Sequence, residues 1–129
     1  MESIIDKLRK YEDYVAIGGA SEKQIANAEH ILNLTFNDEY REYLTEFGTA
    51  SVNGHELTGI CQSKRLNIID ATIEAKKINP NVPDGFYLIE NLGIDHIMIW
   101  QNKNGELFQT VGNNTPEKIA LTLMDYISQ

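Results

Sequence analysis

Residues 21–48, SEKQIANAEHILNLTFNDEYREYLTEFG, decide how the rest of the chain must be read. Ser21 followed three residues later by Gln24 is a capping box, in which the hydroxyl takes an orphan amide while Gln24 reaches back. Ile25, Ala28 and Leu32 then recur at the spacing of an amphipathic helix. Asn33–Asn37 forms an elbow with Leu34 and Phe36 as apolar plugs, and Asn37 is placed to cap a second helix. Tyr40, Tyr43, Leu44 and Phe47 make one apolar stripe, and Gly48 stands where a helix commonly stops in a left-handed conformation. Two paired helices are therefore predicted over these residues.

Working outward, Ser3 caps a first helix through about Tyr14, with Ile4, Ile5, Leu8 and Tyr11 on its apolar side. Gly18-Gly19 breaks the chain before Ser21. After Gly48 the period changes: Val52–Ile60, with an Asn53-Gly54 turn, reads as short strand or hairpin. Asp70 is expected to cap a short helix over Ala71–Ile78, which ends before Asn79-Pro80. Phe86–Ile89 is an apolar strand. Ile94–Gln101 alternates, with Ile94, His96, Met98 and Trp100 facing one way and Ile97 and Ile99 the other, so that strand is predicted to be covered on both faces. Asn102–Gly105 is a hairpin turn, and Leu107, Phe108 and Val111 return as its partner. Thr115-Pro116-Glu117 reads as the start of a closing helix, with Thr115 as cap and Ile119, Ala120, Leu123 and Ile127 as its apolar face. Helices segregated from hairpin-linked strands predict an α+β fold, its N-terminal and C-terminal helices packed on an antiparallel or mixed sheet of about four to six strands.

The chain has 129 residues, which suits one domain spanning 1–129. Its 11 Lys and Arg against 19 Asp and Glu give a formal charge of −8. Such a field repels phosphate backbones and anionic membranes, which argues against direct nucleic-acid and membrane binding and is compatible with a basic protein partner. With Cys61 as the single cysteine there is no intramolecular disulfide and no Cys-based zinc site. The N-terminus lacks the core of a signal peptide, and no apolar run approaches the ~20 residues of a membrane span, so a cytoplasmic protein is expected.

Candidate chemistry is sparse. His30, His55 and His96 show no metal spacing and the glycines form no phosphate-binding pattern, so no cofactor, no metal and no enzymatic activity is expected. His96 is placed beside Asp95 on the strand, where the two side chains point to opposite faces and form no dyad. Nothing by sequence rule lowers the pKa of Cys61. The acidic side of the second paired helix is more informative. Asp38, Glu42 and Glu46 lie four apart and stack on one face with Glu39 alongside, at a cost of a few tenths of a kcal/mol per pair. A stripe of that kind is a candidate contact surface for a basic partner. Glu56, Glu90 and Asp95 make a second candidate surface where exposed beside Tyr87 or Trp100; core packing is the expected place of Trp100.

The pattern Ser21, Ile25, Glu29, Leu32, Leu34, then Phe36, Tyr40, Tyr43-Leu44 and Phe47-Gly48 resembles the N-terminal signature of the SUKH superfamily. Its nearest branch is the Smi/Knr type, named after a fungal cell-wall assembly regulator. The resemblance continues through Leu57, Gly59-Ile60, Pro83–Phe86, the hairpin from Trp100 to Val111 and Thr115-Pro116-Glu117, and so spans about 21–127. Phe36 stands where many members carry proline. The resemblance implies an α+β domain without catalysis. Bacterial members are similar to immunity proteins that bind and neutralise toxins, many of them nucleases, inside the producing cell. The resemblance thus implies a cognate nuclease toxin with a basic cleft as partner, or, on the fungal side, a cellular protein held by a regulatory scaffold. It carries no contact residue over to this chain, and Asp38, Glu42, Glu46, Glu56, Glu90 and Asp95 are candidates by charge alone.

Overall fold

Every helix in the computed structural model, which describes residues 2–129, begins at a side chain that takes up an orphan amide. Ser3 opens α1 (Ile4–Arg9) by accepting from the Asp6 amide at 3.1 Å. Ser21 and Gln24 close the capping box of α2 (Glu22–Leu32). Asn37 accepts from the Glu39 amide at the head of α3 (Asp38–Phe47), and Gly48 ends that helix at φ +69°. The paired helices and their elbow are as read from the sequence. For α4 (Ile68–Ile78) the cap is Asn67 and not Asp70, which lies in the first turn, where its charge meets the positive helix end. Thr122 caps α5 (Leu123–Ile127).

The strands of the described residues form two antiparallel sheets, giving an α+β architecture. One joins β1 (Val15–Ala16), β2 (Ala50–Val52) and β3 (His55–Glu56) in that order; the other joins β4 (Tyr87–Asn91), β5 (Ile97–Gln101), β6 (Leu107–Val111) and β7 (Glu117–Ala120). Three local expectations are corrected. α1 ends at Arg9, not near Tyr14, because the chain turns out and extends to pair Val15 with Ser51. The closing helix does not start at Thr115-Pro116-Glu117. Residues 117–120 pair with β6 as an edge strand, and only Leu123–Ile127 is helical. The free backbone edge of β6 outweighs a local capping signal, and the charged Glu117 and Lys118 then guard the new edge. Asp95 and His96 are not on a strand. They occupy the tip of the β4–β5 hairpin with φ +51° and +56°, bridged by the Ile97 amide on the Ile94 carbonyl, as a type I′ turn requires.

Both faces of the four-stranded sheet are covered. Leu88, Met98 and Trp100 pack against Ala71 and Ala75 of α4, with Val82 and Phe86. Tyr87, Ile89, Ile99 and Leu107 join the larger core with residues of α1, α2, α3 and α5. A bulge between Leu88 and Glu90 sets Glu90 opposite Ile99, and so turns its carboxylate to the side of the larger core.

Two hydroxyls tie α3 to β2 and to the loop after β3. Tyr40 and Tyr43 both donate to the Thr58 carbonyl, at 3.3 and 2.9 Å, and the Ala50 amide donates to Tyr43 Oη at 2.9 Å. Burial pushes both phenols far above their ordinary pKa, so they stay neutral donors. Tyr43→Phe strands the buried Ala50 amide and leaves the Thr58 carbonyl with only the longer bond from Tyr40. It is expected to lower stability by about 1–3 kcal/mol in urea unfolding with an unchanged slope.

Close backbone approach explains one glycine nearby. A Cβ on Gly59 would lie 1.9 Å from the Gly48 carbonyl oxygen and 2.6 Å from Thr49 Oγ1. Gly59 is also bonded through its amide to the Leu66 carbonyl at 2.8 Å.

Candidate functional site

The elbow at Asn33–Asn37 folds α2 back beside α3, and the fold is held by one carboxylate. Glu29 Oε2 accepts from the Phe36 amide at 2.8 Å and from Arg41 at 2.6 Å, tying the two helices and the elbow together. Between them lies an open groove of about 580 Å³. Its apolar floor includes Ile5, Ile25 and Ala26; its walls carry Glu22 and Glu29 from α2 and Asp38, Glu42 and Glu46 from α3. Arg41 is the one basic side chain among the lining residues.

These five carboxylates differ in how they are engaged. Glu29 is committed to Arg41 and the elbow. Glu46 pairs with Arg9 of α1, and Asp38 approaches Arg41 only at 3.8 Å with its side chain 94% exposed. Glu42 is exposed and forms no ion pair among the described residues. The groove therefore presents an acidic rim over an apolar floor. Its chemistry suits a cationic, partly apolar protrusion such as a Lys- or Arg-bearing protein segment.

The residues singled out in the sequence divide clearly. Asp38, Glu42 and Glu46 all line this groove. Glu39 does not. It is turned inward to accept from the Leu123 and Met124 amides at 2.7 and 3.1 Å, which places a carboxylate at the head of α5. Burial raises its pKa, and those two amides work against the rise. Glu22 and Glu29 complete the groove but were missed. Their seven-residue spacing puts them on one side of α2, yet only the packing of α2 on α3 shows that this side faces Asp38 and Glu42.

The second candidate surface is not assembled. Glu56 is exposed on β3 and bonded to Arg65 at 2.5 Å, which holds its carboxyl below the ordinary value. Asp95 is exposed at the β4–β5 tip. Glu90 is corrected from an exposed residue to a buried one, 4% accessible, because the bulge turns it inward. There it accepts from Tyr126 Oη at 2.5 Å and from the Glu56 amide at 3.0 Å, and it meets His55 Nδ1 at 2.9 Å. Tyr87 and Trp100 are wholly buried, so no aromatic surface lies beside these acids.

His96 is exposed in its turn, and Cys61 is half-buried with its thiol 3.6 Å from the Ser63 carbonyl. Among the described residues no three His, Cys, Asp or Glu side chains are grouped to hold a metal ion, and no helix is long and apolar enough to cross a membrane.

Comparison with known proteins gives one finding. The family SUKH_6, described as SMI1-KNR4 cell-wall, matches residues 22–127. No curated protein matches the chain.

Proposed function

Because the chain belongs to the SMI1-KNR4 family of the SUKH superfamily, we propose that it is an immunity protein that binds a cognate bacterial toxin and neutralises it by occlusion, without catalysis. The toxin is proposed to be a nuclease acting inside the producing cell. The observation that carries this reading is the groove between α2 and α3, where five carboxylates face one guanidinium above an apolar floor. A nuclease must expose a basic cleft to hold a phosphate backbone, and an acidic, partly apolar groove is the complementary surface for its rim. Opposite fields also speed encounter, to ~10⁸–10⁹ M⁻¹s⁻¹ at low salt, and an inhibitor of a lethal enzyme gains from that speed.

A second reading is a regulatory scaffold that holds a cellular protein. It is favoured by the family description, which names the cell wall.

Co-expression with the product of an adjacent toxin gene separates the two. On the immunity reading, the toxin arrests growth alone, and growth returns when this protein is made in at least equal amount. Undiminished toxicity in the presence of folded protein would sink that reading. Recovery of a host wall-assembly protein, with no protection against the toxin, would establish the scaffold instead.

A further inference from the structure

Outside the groove lies a polar cluster that the proposed function does not use. His55 on β3, Glu90 on β4 and Tyr126 on α5 join the three-stranded sheet, the four-stranded sheet and the last helix at one point. His55 Nδ1 is 2.9 Å from Glu90 Oε1, Tyr126 Oη donates to the same oxygen at 2.5 Å, and the two rings pack at 4.7 Å between centroids. The Asn53 side-chain amide adds a bond to the Ile127 carbonyl at 2.6 Å, at the end of α5.

His55 Nε2 is buried and has no hydrogen-bond partner among the described residues. Its protonation state therefore matters. A neutral imidazole that donates from Nδ1 to Glu90 leaves Nε2 as a buried acceptor without a partner, which is costly. A charged imidazole turns the contact with Glu90 into an ionic hydrogen bond. The backbone of Gln129 and Ile127 also favours the charged ring.

We propose that His55, Glu90 and Tyr126 form a proton-dependent clasp: charged His55 fastens α5 and the four-stranded sheet to the β2–β3 hairpin, and loss of the proton loosens α5.

The groups around the ring agree with this assignment. Glu90 faces it from β4. Tyr126 faces it from α5, with a phenol that burial and then Glu90 keep neutral. Asp13, in the segment before β1, is held ionised by the Asn53 and Gly54 amides and adds a further negative field. Glu56, the next residue on β3, sends its carboxylate outward to Arg65. The bond to Glu90 raises the His55 pKa above its ordinary 6.5, and burial opposes the rise. The clasp's contribution is then complete below about pH 6.5 and is lost as the pH climbs through the raised folded value. Since Glu39 of α3 holds the other end of α5, the clasp bears on the helix that carries the groove.

The test is amide hydrogen exchange of the full chain between pH 5.5 and 8.5, corrected for intrinsic rates, with a ring-proton titration of His55. Protection of the α5 amides relative to those of α3 should fall several-fold across this range in the wild type, and stay flat and low in His55→Gln. An equal fall in His55→Gln, or no fall in the wild type, overturns the proposal. Should His55→Gln not fold, the wild-type titration still decides, because a His55 midpoint below 6.5 excludes the clasp.

Discussion

On the proposed function, lysine at positions 38, 42 and 46 together is expected to weaken binding to the toxin by about a hundredfold or more and to remove most of its salt dependence. Each substitution turns an attraction across the groove into a repulsion, and like charges juxtaposed in an interface cost several kcal/mol, with about 1.4 kcal/mol per tenfold in affinity. The loss should fall heavily on the association rate at low salt, since exposed charges act over roughly 10 Å at 0.1 M. The fold should survive. Asp38 gives up a favourable place at the head of α3, worth about 0.3–1 kcal/mol, and Glu46 gives up an exposed pair with Arg9, worth about 0–1 kcal/mol. Such losses are small beside the ~5–15 kcal/mol of an ordinary domain. Calorimetry and stopped-flow mixing at two salt concentrations provide the measurement. Glu56→Lys with Asp95→Lys, outside the groove, should leave affinity within a few-fold. If the triple variant binds with unchanged affinity and unchanged salt slope, the groove is not the contact surface.

Gly59→Ala is expected to cost about 3 kcal/mol or more. The added carbon would sit 1.9 Å from a backbone oxygen, and backbone cannot swing aside as the end of a side chain can. Gly48, whose carbonyl is struck, uses that oxygen to accept from the Ile60 amide at 3.0 Å. Gly59 is bonded to Leu66 on the opposite flank, so separating the two segments means breaking a bond on one side or the other. The entropic gain of alanine in the unfolded chain, about 0.4–1 kcal/mol, does not offset this. Gly85→Ala is the matched control, because nothing lies within 4 Å of its Cβ position and its φ is not positive. Urea midpoints should separate the two variants widely. Equal midpoints would contradict the packing described around Gly59.

What could be read from the sequence follows from the range of the interactions involved. Ser3, Ser21 with Gln24, and Asn37 act on amides two or three residues away, so their caps were legible. The same local logic misplaced α4, where Asn67 and Asp70 both qualify, and failed at Thr115, where the edge of β6 offers a better partner than a helix does. Asp38, Glu42 and Glu46 were legible because a helix fixes their spacing, and all three line the groove. Glu22 and Glu29 were not, since the ion pair that brings α2 against α3 spans the elbow. Glu90 was misread for a different reason. It was named by charge alone, and charge does not show that a bulge between Leu88 and Glu90 turns the carboxylate toward the core.

Among the groove carboxylates only Glu29 is bonded to the backbone, while Glu22 and Asp38 add only the modest gain of a first-turn charge and Glu42 forms no ion pair among the described residues. The selective consequence is a division of labour within one pair of helices. On the proposed function, these rim positions are free to change with the partner, whereas Glu29 and Arg41 are tied to the elbow. Variation in such a protein should therefore be greatest where its business is done.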